Sequence, residues 1–333
     1  MATTFFSIRI MIITVFIILI TGCTLPGGPL DGLDRASLFA ALSGDDTNDC
    51  QTPETACQTI HRVVSVANEL PAAIISISPG TYSETDQIIL NKSMTFIGES
   101  GAVISRLPGS SPAAATQLFV TLPPSEGVVR FENVVIQGGD IGIRVGQGRL
   151  ILDNVIMQNI DVNALYAGDP DLHANVSIID SQFINNGNTP ITVMGENVVF
   201  SLQSTIISGN NGTAIINRGG RFDLDGVSIF DNRATGGFPT AILNSSETST
   251  STEGGIMNIS NSSIYNNSTT EVGLEAVRNT GELLSIANST ISGNDGSGNP
   301  IVDLVGEALP PPPVVPSESC RNTTLPAAPP HSL

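Results

Sequence analysis

A repeat of roughly two dozen residues runs through the middle of the chain and restricts the fold to architectures that stack one small unit on the next. Aligning Phe131, Leu152, Ile178, Leu202, Leu224, Ile259 and Ile286 as anchors exposes it. Two residues before each anchor stand Val129, Leu150, Val176, Phe200, Phe222, Met257 and Leu284. Five residues after stand Ile136, Met157, Phe183, Ile207, Ile229, Ile264 and Ile291, so all 21 positions are apolar. Two after each anchor come Asn133, Asn154, Asp180, Ser204, Gly226, Asn261 and Asn288. Eight after come Gly139, Ile160, Asn186, Asn210, Asn232, Asn267 and Asn294. The anchors are 21, 26, 24, 22, 35 and 27 residues apart.

Positions −2 and 0 share one face of a strand, because side chains alternate. Position +5 would fall on the opposite face unless the chain bends, and the Asn, Asp, Ser and Gly at +2 are the types that tolerate such a bend. The second Asn column is read as the next corner. Further apolar pieces follow it, such as Ile141-Gly142-Ile143, Ile191-Thr192-Val193, Ala214-Ile215-Ile216 and Ala241-Ile242-Leu243. Each repeat is therefore a closed coil of short strands, and stacked coils would align equivalent Asn side chains in hydrogen-bonded ladders. Leucine-rich repeats and propeller blades need other signatures, and the Asn, Ser and β-branched content excludes helical repeats. The expected fold is all-β, a right-handed parallel β-helix solenoid with a short N-terminal capping helix.

Five segments are expected. Residues 1–22 form a signal peptide, 23–47 a lipid-anchored tether, 48–72 a cap with a helix, 73–307 the β-helix and 308–333 a Pro-rich tail. The apolar run Ile10 to Ile20 is too short to span a bilayer comfortably. It ends in Leu19-Ile20-Thr21-Gly22-Cys23, which resembles the lipobox of bacterial lipoproteins. That resemblance implies lipidation of Cys23, an exported chain and a membrane partner reached through the anchor. Of the other cysteines, Cys50 and Cys57 close a short polar turn and are the preferred disulfide, leaving Cys320 over. Within the cap, Glu54 to Leu70 carries apolar residues at helical spacing (Ile60, Val63, Val64, Ala67) and stops before Pro71.

The opening coils, with Pro79-Gly80-Thr81-Tyr82-Ser83-Glu84 and Lys92-Ser93-Met94-Thr95-Phe96-Ile97-Gly98, resemble pectin-lyase-fold proteins. Asn288-Ser289-Thr290-Ile291-Ser292-Gly293-Asn294 and Phe183-Ile184-Asn185-Asn186 resemble the repeats of polymorphic outer-membrane proteins. These resemblances imply the fold and a surface location, and little about activity, because the fold hosts many functions.

The charge balance narrows the partners. Against 31 acidic residues stand 13 basic ones, a net charge of −18 that repels phosphate backbones, so no nucleic acid is expected. No cofactor is expected, and without a Cys-x₂-Cys pair zinc has no support. A glycosidase needs paired carboxylates, and a lyase needs a base with charge neutralisation at the uronate. Pectinesterase and polygalacturonase elements are absent, Asp45-Asp46 precedes the repeats, and His61, His173 and His331 stand in no recognisable motif. Arg130, Glu132 and Asp153 are the outward residues that neighbouring coils would bring together, beside a second group at Asp223 and Asp225. They are read as a solvated acidic face in preference to a Ca²⁺ site, and Asp295-Gly296-Ser297-Gly298 as a turn. Tyr82, Tyr166 and Tyr265 are read as packing residues. The sequence thus favours a non-catalytic binding or adhesion scaffold with a glycan or surface-protein ligand. The alternative is a lyase or hydrolase of acidic glycans.

Overall fold

The computed structural model describes residues 35–107, 117–167, 173–235, 238–246, 255–269, 275–294 and 301–303. Its strands form one ten-stranded sheet, A, two nine-stranded sheets, B and C, and a two-stranded pair of Arg233–Ala234 with Ser268–Thr269, all paired in parallel. From Ala72 on, the chain visits A, B and C in turn, so each coil adds one strand to each face of a right-handed parallel β-helix. The expected register holds: Phe131, Leu152, Ile178, Leu202, Leu224, Ile259 and Ile286 lie side by side on successive strands of sheet A. The column continues backward through Phe96, Ile75 and Leu38. Stacked rings fill part of the core, with Phe96 on Phe131 at 4.5 Å and Phe200 on Phe222 at 4.8 Å.

The bend at +2 is real. From Asn133 to Asn288 all seven residues of that column have φ between 49° and 65°. A left-handed conformation costs an ordinary residue about 1–2 kcal/mol, which is why only Asn, Asp, Ser and Gly occupy it. The turn from A to B is two residues long in each of these coils, so position +5 returns to the interior. The second corner differs from expectation by one residue. Its left-handed residues are at +7, from Gly138 to Gly293, with φ of 53° to 76°. The Asn residues at +8 follow that turn and point inward.

There they form the expected ladder. Nδ2 of Asn186, Asn210, Asn232 and Asn267 each donates to Oδ1 of the next Asn, at 2.7 to 2.9 Å. The same oxygens accept the backbone N–H of the preceding Asn, at 2.9 to 3.1 Å. A second buried ladder, Asn217, Asn244 and Asn279, runs through sheet C. In a closed core these amides must satisfy one another, since an unpaired buried polar group costs about 1–3 kcal/mol.

The N-terminal end is capped. The helix Ile60–Asn68 starts at Thr59, whose hydroxyl accepts the Arg62 N–H at 3.1 Å, and it buries Ile60, Val63, Val64 and Ala67. It is shorter than the sequence suggested, because Pro53–Thr55 is a separate single turn. Glu84, reaching in from sheet B, accepts the Ile60 N–H at 2.8 Å. Burial pushes its carboxyl pKa up in spite of that bond. The strand Ala36–Ala40 already pairs with Ala73–Ile77, so the solenoid begins inside the segment expected to be a tether. It stands three sheet-A strands before the first detected repeat, where no register pointed to it. Its outer edge is covered by the loop that the Cys50–Cys57 disulfide closes, with Phe39 N–H donating to Cys50 O at 2.8 Å and Cys57 N–H to Phe39 O at 3.0 Å. Covering an edge strand this way blocks sheet extension by another chain.

Candidate functional site

The two-residue A-to-B turns leave no room for variation, whereas the connections on both sides of sheet C vary. Among those that lie wholly in the described residues, the B-to-C connections run from three residues after Gln137 to six after Ile184, and the C-to-A connections from two after Val145 to six after Thr121. A rigid face flanked by variable segments is where this fold can place a binding function.

Across four consecutive strands the outer side of sheet C presents Arg144, Tyr166, Met194 and Arg218, all half-buried. Arg144 and Tyr166 are register partners, as are Met194 and Arg218. The Tyr166 hydroxyl donates to Met194 Sδ at 3.5 Å, which fixes the ring between the two arginines. Three strand spacings put Arg144 and Arg218 about 14 Å apart along the axis. Neither guanidinium has a salt bridge or side-chain hydrogen bond among the described residues, although the chain carries 31 acidic side chains. The column that Arg144 and Tyr166 begin continues through the buried Thr192, Ile216 and Leu243 to Arg278, which is paired with Glu275, while Met194 and Arg218 stand two residues along their strands from it. A half-buried phenol between two unneutralised cations can hold a chain of carboxylates.

The outward group expected on sheet A does assemble. Arg130 Nε lies 3.1 Å from Glu132 Oε2, and its Nη2 lies 2.5 Å from Asp153 Oδ2. The guanidinium bridges the two carboxylates, so the three form a cross-strand ion cluster that keeps one net negative charge, about a third exposed. No group of three or more His, Cys, Asp or Glu suited to a metal occurs among the described residues. Farther along sheet A, Asp223 accepts from Asn258 Nδ2 at 2.6 Å, and Asp225 from Ser260 Oγ at 2.9 Å and Asn261 Nδ2 at 2.7 Å. These last two bonds, Asn261 first, lower the Asp225 pKa.

The remaining candidates are structural or lie elsewhere. Asp46 accepts the N–H groups of Gln58 and Thr59 and the Thr59 hydroxyl, which fixes the start of the helix. Tyr82 is buried, its hydroxyl between Ala40 O and Ser78 O, and burial followed by the nearby Glu99 charge pushes its pKa up to about 12. His173 contributes its carbonyl to Gly148 N–H. Cys23, Asp295 to Gly298, Cys320 and His331 lie outside the described residues.

Comparison with solved structures places the architecture. The A-module of mannuronan C-5 epimerase from Azotobacter vinelandii superposes with a TM-score of 0.53 at 12% identity, over 73% of this chain and 74% of that one. The fold is the pectin-lyase-like right-handed parallel β-helix. Two further solved β-helices are less alike. Pectin methylesterase from Aspergillus niger gives 0.49 at 14% identity over 83% and 92% of the two chains. Alginate lyase from a Paenibacillus species gives 0.45 at 12% over 73% and 98%. No family model and no curated protein matches the sequence. On this β-helix, Arg144 and Arg218 are the residues that sequence reading missed, and Tyr166, read as a packing residue, lies half-buried on the outer face. The pieces Ile141-Gly142-Ile143 and Ile191-Thr192-Val193 were visible, but the outward residues at the next position, Arg144 and Met194, were not read with them.

Proposed function

We propose that this protein is an exported β-helix, lipid-anchored at Cys23, that binds anionic polysaccharide on the outer face of sheet C and does not cleave it. The observation that carries the reading is the unpaired state of Arg144 and Arg218 in a chain of net charge −18. On sheet A Arg130 and Arg221, and at the far end of sheet C Arg278, each meet an acidic partner. Cations left unneutralised on a rigid face serve an anion from outside, and a guanidinium matches a carboxylate in geometry. The overall negative charge selects for ligands that reach this face without crossing the acidic sheet A, and makes binding weaken with salt.

A second reading, turnover of the bound polymer, is favoured by one feature. Tyr166 brings a proton-transfer group beside the charge-neutralising Arg144, the pairing that elimination from a uronate needs. The test of binding is affinity electrophoresis in gels containing polygalacturonate or alginate. The protein is expected to be retarded, and Arg144→Gln with Arg218→Gln to weaken retardation about tenfold or more, the loss of charge-assisted hydrogen bonds. Equal mobility of the wild type with and without polymer would reject the proposal.

A further inference from the structure

Sheet B is uncharged on its outer side over all nine strands. The charged residues in its strands, Glu84 and Arg106, point inward and are buried. The outward positions hold Ser, Thr, Gln, Val and Ile, with one aromatic pair, Phe230 and Tyr265. Sheets A and C each expose several charged side chains, so this neutral strip is a property of one face. The corners beside it are lined mainly by Asn, Ser and Gly, with Asp86, Glu99, Asp140, Asp161, Asp180 and Asp231 as acidic exceptions among the described residues.

The aromatic pair has a directed geometry. Phe230 and Tyr265 are half-buried and stack with ring centres 5.0 Å apart and planes 7° apart. In the same column, the neighbour beyond Phe230 is Ser208 and the neighbour beyond Tyr265 is Ser292. Each ring therefore has its outer face against a small hydroxyl residue, one coil away, and not against another large side chain. A pyranose ring presents C–H groups on its faces and hydroxyls around its rim, which suits an aromatic face bordered by Ser, Gln and Asn. Strands about 4.8 Å apart place one rung under roughly each sugar of an extended chain running along the axis.

We infer that the outer face of sheet B binds a neutral polysaccharide, centred on Phe230 and Tyr265. A second copy of the chain fits less well. Nine strands at that spacing and three residues of width give roughly 400 Å² per copy, so a face-to-face pair would bury about 800 Å² in total, below the 1,200 Å² or more of specific interfaces. The site is separate from the arginine face of sheet C, and neutral and acidic polymers probe the two independently.

The test uses the full chain in affinity electrophoresis against a soluble β-glucan, a galactomannan and a xyloglucan. At least one polymer is expected to retard the protein equally at low and high salt, since no ion pair is involved. The double variant Phe230→Ser with Tyr265→Ser should weaken that retardation about tenfold or more. Ser208→Arg, which places a charge against the Phe230 ring, should weaken it too, and is the surface substitution that stands in if the double variant does not fold. Arg144→Gln with Arg218→Gln should leave it unchanged. The inference is overturned if none of the three polymers retards the protein, or if both sheet B variants bind as the wild type does. It is equally overturned if the arginine variant abolishes the effect, or if sedimentation shows a dimer that the sheet B variants dissolve, which would assign the face to a second copy.

Discussion

Asn210 sits in the middle of the buried ladder, and its replacement by Ala has a cost that can be worked out bond by bond. Its Oδ1 accepts from the backbone N and from Nδ2 of Asn186, at 2.9 and 2.8 Å. Its Nδ2 donates to Phe183 O at 3.0 Å and to Asn232 Oδ1 at 2.7 Å. Truncation leaves the Asn186 N–H and the Phe183 C=O without a side-chain partner in a site that is 1% exposed. Asn186 Nδ2 keeps Met157 O, and Asn232 Oδ1 keeps the Asn210 N–H, so those groups lose less. Two stranded groups at about 1–3 kcal/mol each, with a small cavity, give roughly 3–6 kcal/mol. Asn294 makes the same kinds of bond at the end of the ladder, where it is half-buried and water can replace them. Asn294→Ala should therefore cost only about 1 kcal/mol. Urea unfolding gives the global effect. Hydrogen exchange at the Asn186 amide gives the local one, and its protection should fall in Asn210→Ala. Equal, small losses for the two variants, with the Asn186 amide unaffected, would refute the ladder as a source of stability.

Three further outcomes are expected. Ile207→Asp buries a carboxyl in the core, where Ile207 is fully buried, and should cost about 4 kcal/mol or more, against about 0.5 kcal/mol or less for the adjacent outward Ser208→Asp; equal melting temperatures would contradict the register. Cys50→Ser opens a loop with a sequence separation of seven and should cost roughly 2–3 kcal/mol. It also frees the edge of Ala36–Ala40, so light scattering should show faster association than in the wild type. Glu84 has a folded-state pKa raised by burial, so its protonated form favours folding; that stability is complete below about pH 4.5 and lost as pH rises through the folded value. Glu84→Gln should flatten this part of the pH dependence of the urea midpoint, and an unchanged profile would count against it.

What the sequence revealed depended on constant spacing. The A-to-B turn is two residues in every repeat from Phe131 onward, so anchor, corner and +5 columns could be aligned without a structure. Sheet C follows connections of unequal length, so Asn217 stands 15 residues after its anchor while Asn244 and Asn279 stand 20 after theirs, and the ladder went unseen. Arg144 and Arg218 were hidden for the same reason, and Tyr166 was read as packing because nothing placed it beside them. The corner at +7 was displaced by one because Asn at +8 is the more conspicuous column, although Gly138, Gly209 and Gly293 already marked the true turn. Arg130, Glu132 and Asp153 were brought together as their spacing implied, and only coordinates could show the guanidinium lying between the carboxylates.

The central claim is that the face bearing Arg144, Tyr166 and Arg218 holds an acidic polymer without cutting it. One titration tests it directly: the full chain is incubated with polygalacturonate, and bound protein and new chain ends are counted in the same samples. Saturable binding that declines with salt, at constant polymer length, is the predicted result. New reducing or unsaturated ends that grow with time and vanish in Tyr166→Phe would contradict it and make the protein an enzyme.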